Sequence, residues 1–187
     1  MRIICVCTGD KFSEWYVNNL KYMIDKYSCL QYEEFAVIRN DEYDGVYNKL
    51  LMFDKFRDGQ NIYFDLDVII KGDCNAFLKK EFTLCYAYWR PEHHTRINSS
   101  IISWEGDVSH IYDFFAENPD YYMMKYNKGI DQLLYENIPY KVYGNIDDYC
   151  SFQTVTDEQP YSVYLFNQRH QSMLLPGWHQ QFQLQPE

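Results

Sequence analysis

"NIYFDLDVII", residues 61–70, reads as an apolar, buried strand that carries two aspartates. Asp65 and Asp67 are two positions apart, so on a strand both side chains would point to one face, with Cα atoms about 6.6 Å apart. Two bare carboxylates in an apolar strand are costly, because each needs a partner or a balancing charge. The stretch therefore predicts a bound cation at the end of a buried strand.

The sequence before this stretch alternates between strand and helix patterns. Residues 2–8 form a continuous apolar run, which is typical of a strand buried on both faces. Residues 13–27 carry apolar side chains at helical spacing, residues 35–40 read as a second strand and residues 44–56 as a second helix. With 61–70 as the third strand, this order predicts an α/β fold with a mostly parallel central sheet and flanking helices.

The second half of the chain is less regular but contains further strand and helix patterns. No internal repeat, low-complexity tract or linker interrupts it. We predict a single domain over residues 1–187, in which 171–187 form an irregular C-terminal tail. The predicted strands are residues 82–89, 99–104, 140–144 and 161–167, and the predicted helices are residues 107–119, ending near Pro119, and 129–138.

The charge of the chain limits its ligands. Its formal net charge is −10, which argues against nucleic-acid binding in the absence of a basic stripe. An anionic substrate such as a phosphate ester would need its repulsion screened, and a divalent cation, Mn²⁺ or Mg²⁺, would do this. Hard carboxylate oxygens such as those of Asp65 and Asp67 suit either ion.

The cysteines and the hydropathy bear on localisation. The six cysteines form no Cys-x-x-Cys pair and no zinc-ligand spacing, and Cys5 and Cys85 lie in apolar, strand-like runs. This pattern favours reduced thiols and predicts a cytoplasmic protein. No stretch approaches the roughly 20 apolar residues of a membrane helix, so no transmembrane segment is predicted.

The aspartate pair resembles the Asp-x-Asp motif of nucleotide-sugar glycosyltransferases with the GT-A fold, in the branch of glycogenin and the bacterial galactosyltransferases. Residues 3–20, "IICVCTGDKFSEWYVNNL", resemble the opening strand, loop and helix of that branch. The resemblance implies that Thr8, Asp10 and Tyr16 hold the nucleotide. Residues 46–56, "VYNKLLMFDKF", resemble the helix before the motif strand, which implies that Lys49 lies near the sugar or phosphates.

Two stretches of the second half continue the resemblance. Residues 97–104, "INSSIISW", are similar to the family's Asn-Ser-Gly strand, which implies that Asn98 and Ser99 contact the donor sugar, although Ser100 replaces the glycine. Residues 128–138, "KGIDQLLYENI", resemble the family's Asp-Gln helix. The resemblance implies catalytic roles for Asp131 and Gln132 beside the reacting face of the sugar.

A third metal ligand is also implied, from a late histidine motif. "HQSMLLPGW", residues 170–178, keeps the histidine, a late proline and a tryptophan, but lacks the family's internal glycine and phosphate-binding lysine. The implied metal ligands are Asp65, Asp67 and His170, with Asn167 as an alternative to the histidine. His93 and His94 form a rival pair in a loop.

The resemblance covers roughly residues 2–178 and implies a metal-dependent glycosyltransferase. It would move a sugar from a nucleoside diphosphate sugar, such as a UDP-sugar, to an unknown acceptor (a glycan, a protein or a lipid-linked group), with retention of configuration. One alternative is a GT-A-like domain that binds a nucleotide sugar without turnover. A haloacid dehalogenase-type phosphatase is disfavoured, because its Asp-x-Asp lies near the N-terminus and is followed by glycine and threonine.

Overall fold

Two β-sheets organise the molecule, which this computed structural model describes over residues 1–144, 148–155 and 157–185. None of the helices in these ranges is long and apolar enough to cross a membrane. The strands are β1 (Arg2–Val6), β2 (Glu34–Ile38), β3 (Gln60–Phe64), β4 (Val68–Ile70), β5 (Thr83–Tyr86), β6 (Ile97–Glu105), β7 (Lys141–Val142), β8 (Tyr149–Ser151) and β9 (Val163–Leu165). The α-helices are α1 (Glu14–Tyr27), α2 (Leu51–Lys55), α3 (His110–Ala116), α4 (Pro119–Lys125) and α5 (Ile130–Asn137). Short 3-10 segments are Gly45–Leu50, Asn75–Phe77, Asn167–Leu174 and Trp178–Phe182.

The larger sheet has six strands in the order β2-β1-β3-β6-β5-β7. β1 pairs in parallel with both β2 and β3, and β7 pairs in parallel with β5. β6 lies between β3 and β5 and runs antiparallel to both. The sheet is therefore mostly parallel with one reversed strand, and the predicted α/β fold class is confirmed.

Both faces of this sheet are buried, which explains the continuous apolar runs in its strands. Ile3 and Cys5 of β1 face one core cluster with α1, whereas Ile4 between them faces a second cluster with α2, α3 and α5. This alternation follows from the two-residue repeat of a strand. Helix α1 buries its apolar stripe, including Leu20 and Met23, against the first cluster.

The stretch at residues 61–70 is not one strand, and that prediction is wrong. β3 ends at Phe64, a turn follows, and Val68 begins β4 in the smaller sheet, whose order is β4-β9-β8. The backbone changes partners across the turn: the Asp65 N–H donates to the Ser100 carbonyl of β6 at 2.9 Å, whereas the Asp67 carbonyl accepts from Phe166 after β9 at 3.0 Å. Residues 61–64 and 68–70 have the same apolar pattern, so the sequence does not reveal that the chain passes from one sheet to the other between them.

The second half differs from the prediction in other places. The helix predicted to end near Pro119 ends at Ala116, and Pro119 instead opens α4, where its missing N–H is tolerated. Strand β8 was not predicted. The tail packs back on α1, because the Leu184 N–H donates to the buried Asn19 side chain at 2.7 Å.

All six cysteines are free, and Cys5, Cys74, Cys85 and Cys150 are buried. Burial raises the pKa of Cys5 to about 12 and that of Cys150 to about 12. These thiols are therefore protonated, apolar core groups, as the sequence predicted for Cys5 and Cys85.

Candidate active site

Two antiparallel ladders meet at the turn between β3 and β4. The β3–β6 ladder pairs Phe64 with Ile101, so the start of β6 lies beside Asp65. The β4–β9 ladder pairs Val68 with Leu165, so the segment after β9 lies beside Asp67. Each aspartate is therefore faced by residues from the second half of the chain.

Asp65 is held by charge and hydrogen bonds. Its Oδ1 lies 2.6 Å from the Lys49 Nζ and accepts the Tyr63 hydroxyl, and Lys49 is also 3.4 Å from the Ser99 Oγ. Burial alone would raise the pKa of Asp65, but the charge of Lys49 and hydrogen bonds from Lys49, Tyr63 and Ser100 lower it below its ordinary value. Asp65 is therefore an oriented carboxylate.

Asp67 lies in a different environment. It is only 4% exposed, and burial and then the charge of Asp65 raise the pKa of Asp67 to about 7. Its ionised form is disfavoured because no cation pairs with it directly among the described residues. A cation placed at the pair would reverse this effect.

Asp131 is fixed by an arginine that the sequence motifs did not identify. Arg90, in the loop after β5, donates from Nη2 to the Asp131 Oδ2 at 2.7 Å and from Nη1 to the Ile97 carbonyl at 2.6 Å. The other carboxylate oxygen of Asp131 accepts the Ser99 N–H at 2.9 Å. This arrangement ties the N-terminus of α5 to the start of β6.

Gly129 shapes the approach to Asp131. It precedes α5 with φ +90°, a conformation that glycine adopts at little cost. A Cβ at this position would also lie 3.0 Å from the Val46 Cγ2. Both constraints explain the glycine two residues before Asp131.

Asn167 occupies the position opposite the aspartates. Its φ of 53° turns the chain sharply after β9, a conformation that asparagine tolerates better than most residues. Its side chain donates to the Ser151 Oγ at 3.0 Å, and its Oδ1 accepts from the Asn98 Nδ2 at 3.3 Å. The Ser100 hydroxyl, where the family motif has glycine, lies 3.5 Å from the same oxygen.

A cavity of about 280 Å³ brings most of the predicted site residues together. Its lining includes Thr8, Lys49, Asp65, Asp67, Asn98, Ser99, Asp131 and Asn167. Four predicted residues do not contribute to this lining, namely Asp10, Tyr16, Gln132 and His170.

The four residues outside the lining have other surroundings. Asp10 is exposed, and Tyr16 is buried in contact with the Phe12 ring. The amide of Gln132 donates to Glu136 along α5 at 2.9 Å. His170 packs edge-on against Phe12, with ring centroids 5.3 Å apart.

Three further charged residues line the cavity: Lys11, Arg90 and Lys128. Lys11 and Arg90 follow β1 and β5, which run in the direction of β3, and the carboxyl ends of parallel strands meet at one edge of a sheet. A search for charged residues just after each predicted strand would therefore have identified Lys11 and Arg90 from the sequence. Nothing in the sequence indicates the same for Lys128.

The residues present fit a divalent cation of the magnesium or manganese type. Asp65 and Asp67 offer hard oxygen donors, and the His170 Nδ1 is buried without a hydrogen-bond partner. Within residues 1–144, 148–155 and 157–185, however, no three His, Cys, Asp or Glu side chains form a group that could hold a metal. Mg²⁺ sites commonly use only one or two carboxylates and complete their coordination with water and substrate phosphates.

One cavity wall depends on Asn48, which is fully buried. Its Oδ1 accepts the N–H groups of Glu42 and Tyr43, both at 2.9 Å, and its Nδ2 donates to Asp41 at 2.8 Å and to Thr8 at 3.3 Å. This network joins the loop before Gly45–Leu50 to the loop after β1.

We predict that Asn48→Ala lowers the free energy of unfolding by about 1–3 kcal/mol, because it leaves part-buried backbone donors unpaired. Urea denaturation of the purified protein would measure this change. The matched control is Asn40→Ala, since the Asn40 side chain is exposed and should change stability by less than about 0.5 kcal/mol. Equal stabilities of the two variants would contradict the role given to Asn48.

Comparison with known proteins places this architecture among glycosyltransferases. The sequence matches no protein-family model and no curated protein. Among solved structures, the glycosyltransferase GlyE of Streptococcus pneumoniae TIGR4 is similar with a TM-score of 0.65 and 8% identity, covering 89% of this chain and 55% of GlyE. The chain thus spans about half the length of GlyE.

Two other structures are similar over more of their length. Galactosyltransferase LgtC, in complex with donor and acceptor sugar analogues, has a TM-score of 0.61 and 10% identity, covering 89% of this chain and 87% of LgtC. A glycosyltransferase involved in glycosylation of the major capsid of PBCV-1 has a TM-score of 0.58 and 10% identity, covering 94% of this chain and all of that one. The chain therefore has the fold of these glycosyltransferases.

Proposed function

We propose that the chain is a metal-dependent glycosyltransferase that moves a sugar from a nucleoside diphosphate sugar to an acceptor. The observation that carries this proposal is the cavity itself. It contains the Asp65–Asp67 pair, the amide and hydroxyl groups of β6 and the Asp131 carboxylate in one place. The fold shared with glycosyltransferases supports the reaction class, and the whole activity, including a UDP-sugar as donor, is our proposal.

The roles proposed for individual residues follow from their contacts. Asp65, kept ionised by Lys49, and Asp67 would hold a divalent cation, which would act as a Lewis acid on the departing diphosphate. Asn98 and Ser99, which contribute to the lining, would bind sugar hydroxyls. Asp131 adds negative charge that favours an oxocarbenium-like transition state. We assign this role to Asp131 rather than to Gln132, because Gln132 lies outside the lining.

The experiment is a screen of nucleoside diphosphate sugars with the wild-type protein, with MnCl₂ or with EDTA. We expect release of free UDP from at least one UDP-sugar only when metal is present. With an acceptor, NMR of the product would show whether the anomeric configuration is retained, as the sequence resemblance implies. Absence of release from every donor, with no thermal stabilisation by UDP and Mn²⁺, would refute the proposal.

A second candidate is a domain that binds a nucleotide sugar without turnover. Both oxygens of Asp131 are already engaged, by Arg90 and by the Ser99 N–H, and this favours binding over chemistry at that carboxylate. The same screen separates the two candidates. Stabilisation by UDP and Mn²⁺ without release or transfer of sugar would indicate the binding domain.

A further inference from the structure

We propose that Lys11 is the phosphate-binding cation of this cavity and contacts the diphosphate of the donor. The inference rests on the proposed function for the identity of the ligand. The position of Lys11 in the loop between β1 and α1, in the lining of the cavity, carries it.

The charges of the cavity show why Lys11 is available. Two of the basic side chains in the lining are committed to carboxylates, Lys49 to Asp65 at 2.6 Å and Arg90 to Asp131 at 2.7 Å. Neither Lys11 nor Lys128 has an ion pair or a hydrogen bond with any other described residue. In a chain of net charge −10, exposed ammonium groups without a carboxylate partner in a cavity favour an anionic ligand there.

The position of Lys11 selects it over Lys128. Its Nζ lies 4.7 Å from the centre of the Phe12 ring, which in turn packs against His170. Lys11 also follows β1, whose Ile4 pairs with Tyr63 of β3, two residues before Asp65. Lys11 is therefore close to the metal-binding side of the cavity.

Lys128 belongs to the opposite wall. It precedes Gly129 at the start of α5, on the side of Asp131. Lys128 thus has the same charge and exposure in the same cavity but lies away from the aspartate pair.

The chemistry of the ligand follows from this side of the cavity. A diphosphate carries several negative charges on compact oxygens, and an ammonium is a compact, strongly hydrated point charge that binds such oxygens well. A divalent cation on Asp67 and the Lys11 ammonium would approach the diphosphate from two directions. The base and the sugars of the donor are neutral, so their binding should not depend on the charge of Lys11.

The test compares Lys11→Gln with Lys128→Gln by isothermal titration calorimetry with UDP, pyrophosphate and uridine, each with Mn²⁺. We expect Lys11→Gln to weaken binding of UDP and pyrophosphate by about 10- to 100-fold, the loss of one charged hydrogen bond. Uridine binding should not change, and Lys128→Gln should change each Kd by less than about threefold. The wild-type affinity for UDP should fall with added salt more steeply than that of Lys11→Gln.

Several results would overturn the inference. The inference is wrong if Lys11→Gln and Lys128→Gln lose the same affinity for UDP, or if Lys11→Gln keeps the wild-type affinity for UDP. It is also wrong if Lys11→Gln loses affinity for uridine as much as for UDP, or if the wild type binds neither UDP nor pyrophosphate. Failure of the proposed function gives a different pattern. In that case the wild type transfers no sugar from any donor, yet Lys11→Gln still binds UDP or pyrophosphate more weakly than the wild type does.

Discussion

Asp67→Asn should reduce metal-dependent release of UDP from UDP-sugars by roughly 100-fold or more, the loss typical when a key electrostatic group is removed from an active site. The amide keeps the size of the side chain but cannot balance the charge of a divalent cation. Asp67 is buried beside Asp65, and the other carboxylate of the cavity lining, Asp131, is already paired with Arg90. A coupled assay for free UDP, with and without MnCl₂, would measure the effect.

The control for this substitution is Asp120→Asn, which makes the same chemical change at an exposed position in the first turn of α4. It should leave UDP release within about twofold of the wild type, since surface changes rarely propagate to a site. If Asp67→Asn retained more than a tenth of the wild-type rate with Mn²⁺, the metal role of the aspartate pair would be wrong.

Asp67→Asn should not lower the stability of the fold when metal is absent. Because burial and Asp65 raise the pKa of Asp67 to about 7, the folded protein binds this proton more tightly than the unfolded chain does. The free energy of unfolding therefore falls as the pH rises from about 4 through 7, and Asp67→Asn removes that fall. Thermal denaturation at pH 5 and pH 8, in EDTA, should show the variant at least as stable as the wild type at pH 8.

Arg90→Gln should lower kcat by about 10- to 100-fold, which is the second largest effect that we expect. Arg90 holds one oxygen of Asp131 and is anchored to the Ile97 carbonyl, so its loss lets the carboxylate rotate and changes its charge balance. We treat Arg90 as a positioning residue, so KM for the donor should change by less than about threefold. Arg90→Lys should recover part of kcat, because it keeps the charge without the two-pronged geometry.

Arg96→Gln is the matched control, in the same loop between β5 and β6. Arg96 contacts the Tyr86 hydroxyl and does not contribute to the cavity lining. Steady-state kinetics of the three variants would separate the effects. A loss of kcat in Arg96→Gln equal to that in Arg90→Gln would mean that the loop, and not the contact with Asp131, is responsible.

Much of the architecture could be predicted from local patterns. The runs in β1 and β3 are apolar because both faces of the sheet are covered, and the stripe of α1 repeats every three to four residues. These signals depend on neighbours along the chain. The division of residues 61–70 between two sheets depends instead on which later strands pair with each half, and no local pattern contains that information.

The same distinction applies to the candidate site. The residues given by motifs, such as Lys49 and Asp131, line the cavity because they lie within the Gly45–Leu50 segment and α5, elements whose positions the fold determines. Arg90 lies outside the motifs, and Asn48 lies in one of them without an assigned role, since their importance comes from hydrogen bonds to distant parts of the chain. The sequence left Asn167 and His170 as alternatives for the position that faces the aspartates. In the structure Asn167 lines the cavity, whereas His170 packs against the Phe12 ring. The turn at Asn167 after β9 determines this difference.

The pairing of β4 with β9 has a consequence for when the candidate site forms during folding. Val68 pairs with Leu165 at the end of β9, and the Asp67 carbonyl accepts the Phe166 N–H, so one half of the aspartate turn is fixed only when a late part of the chain has docked. Closing such a long loop is slow and entropically unfavourable compared with forming the local β1–α1 unit. During synthesis, a nascent chain that already contains both aspartates would therefore lack the complete cavity until β9 emerges and pairs.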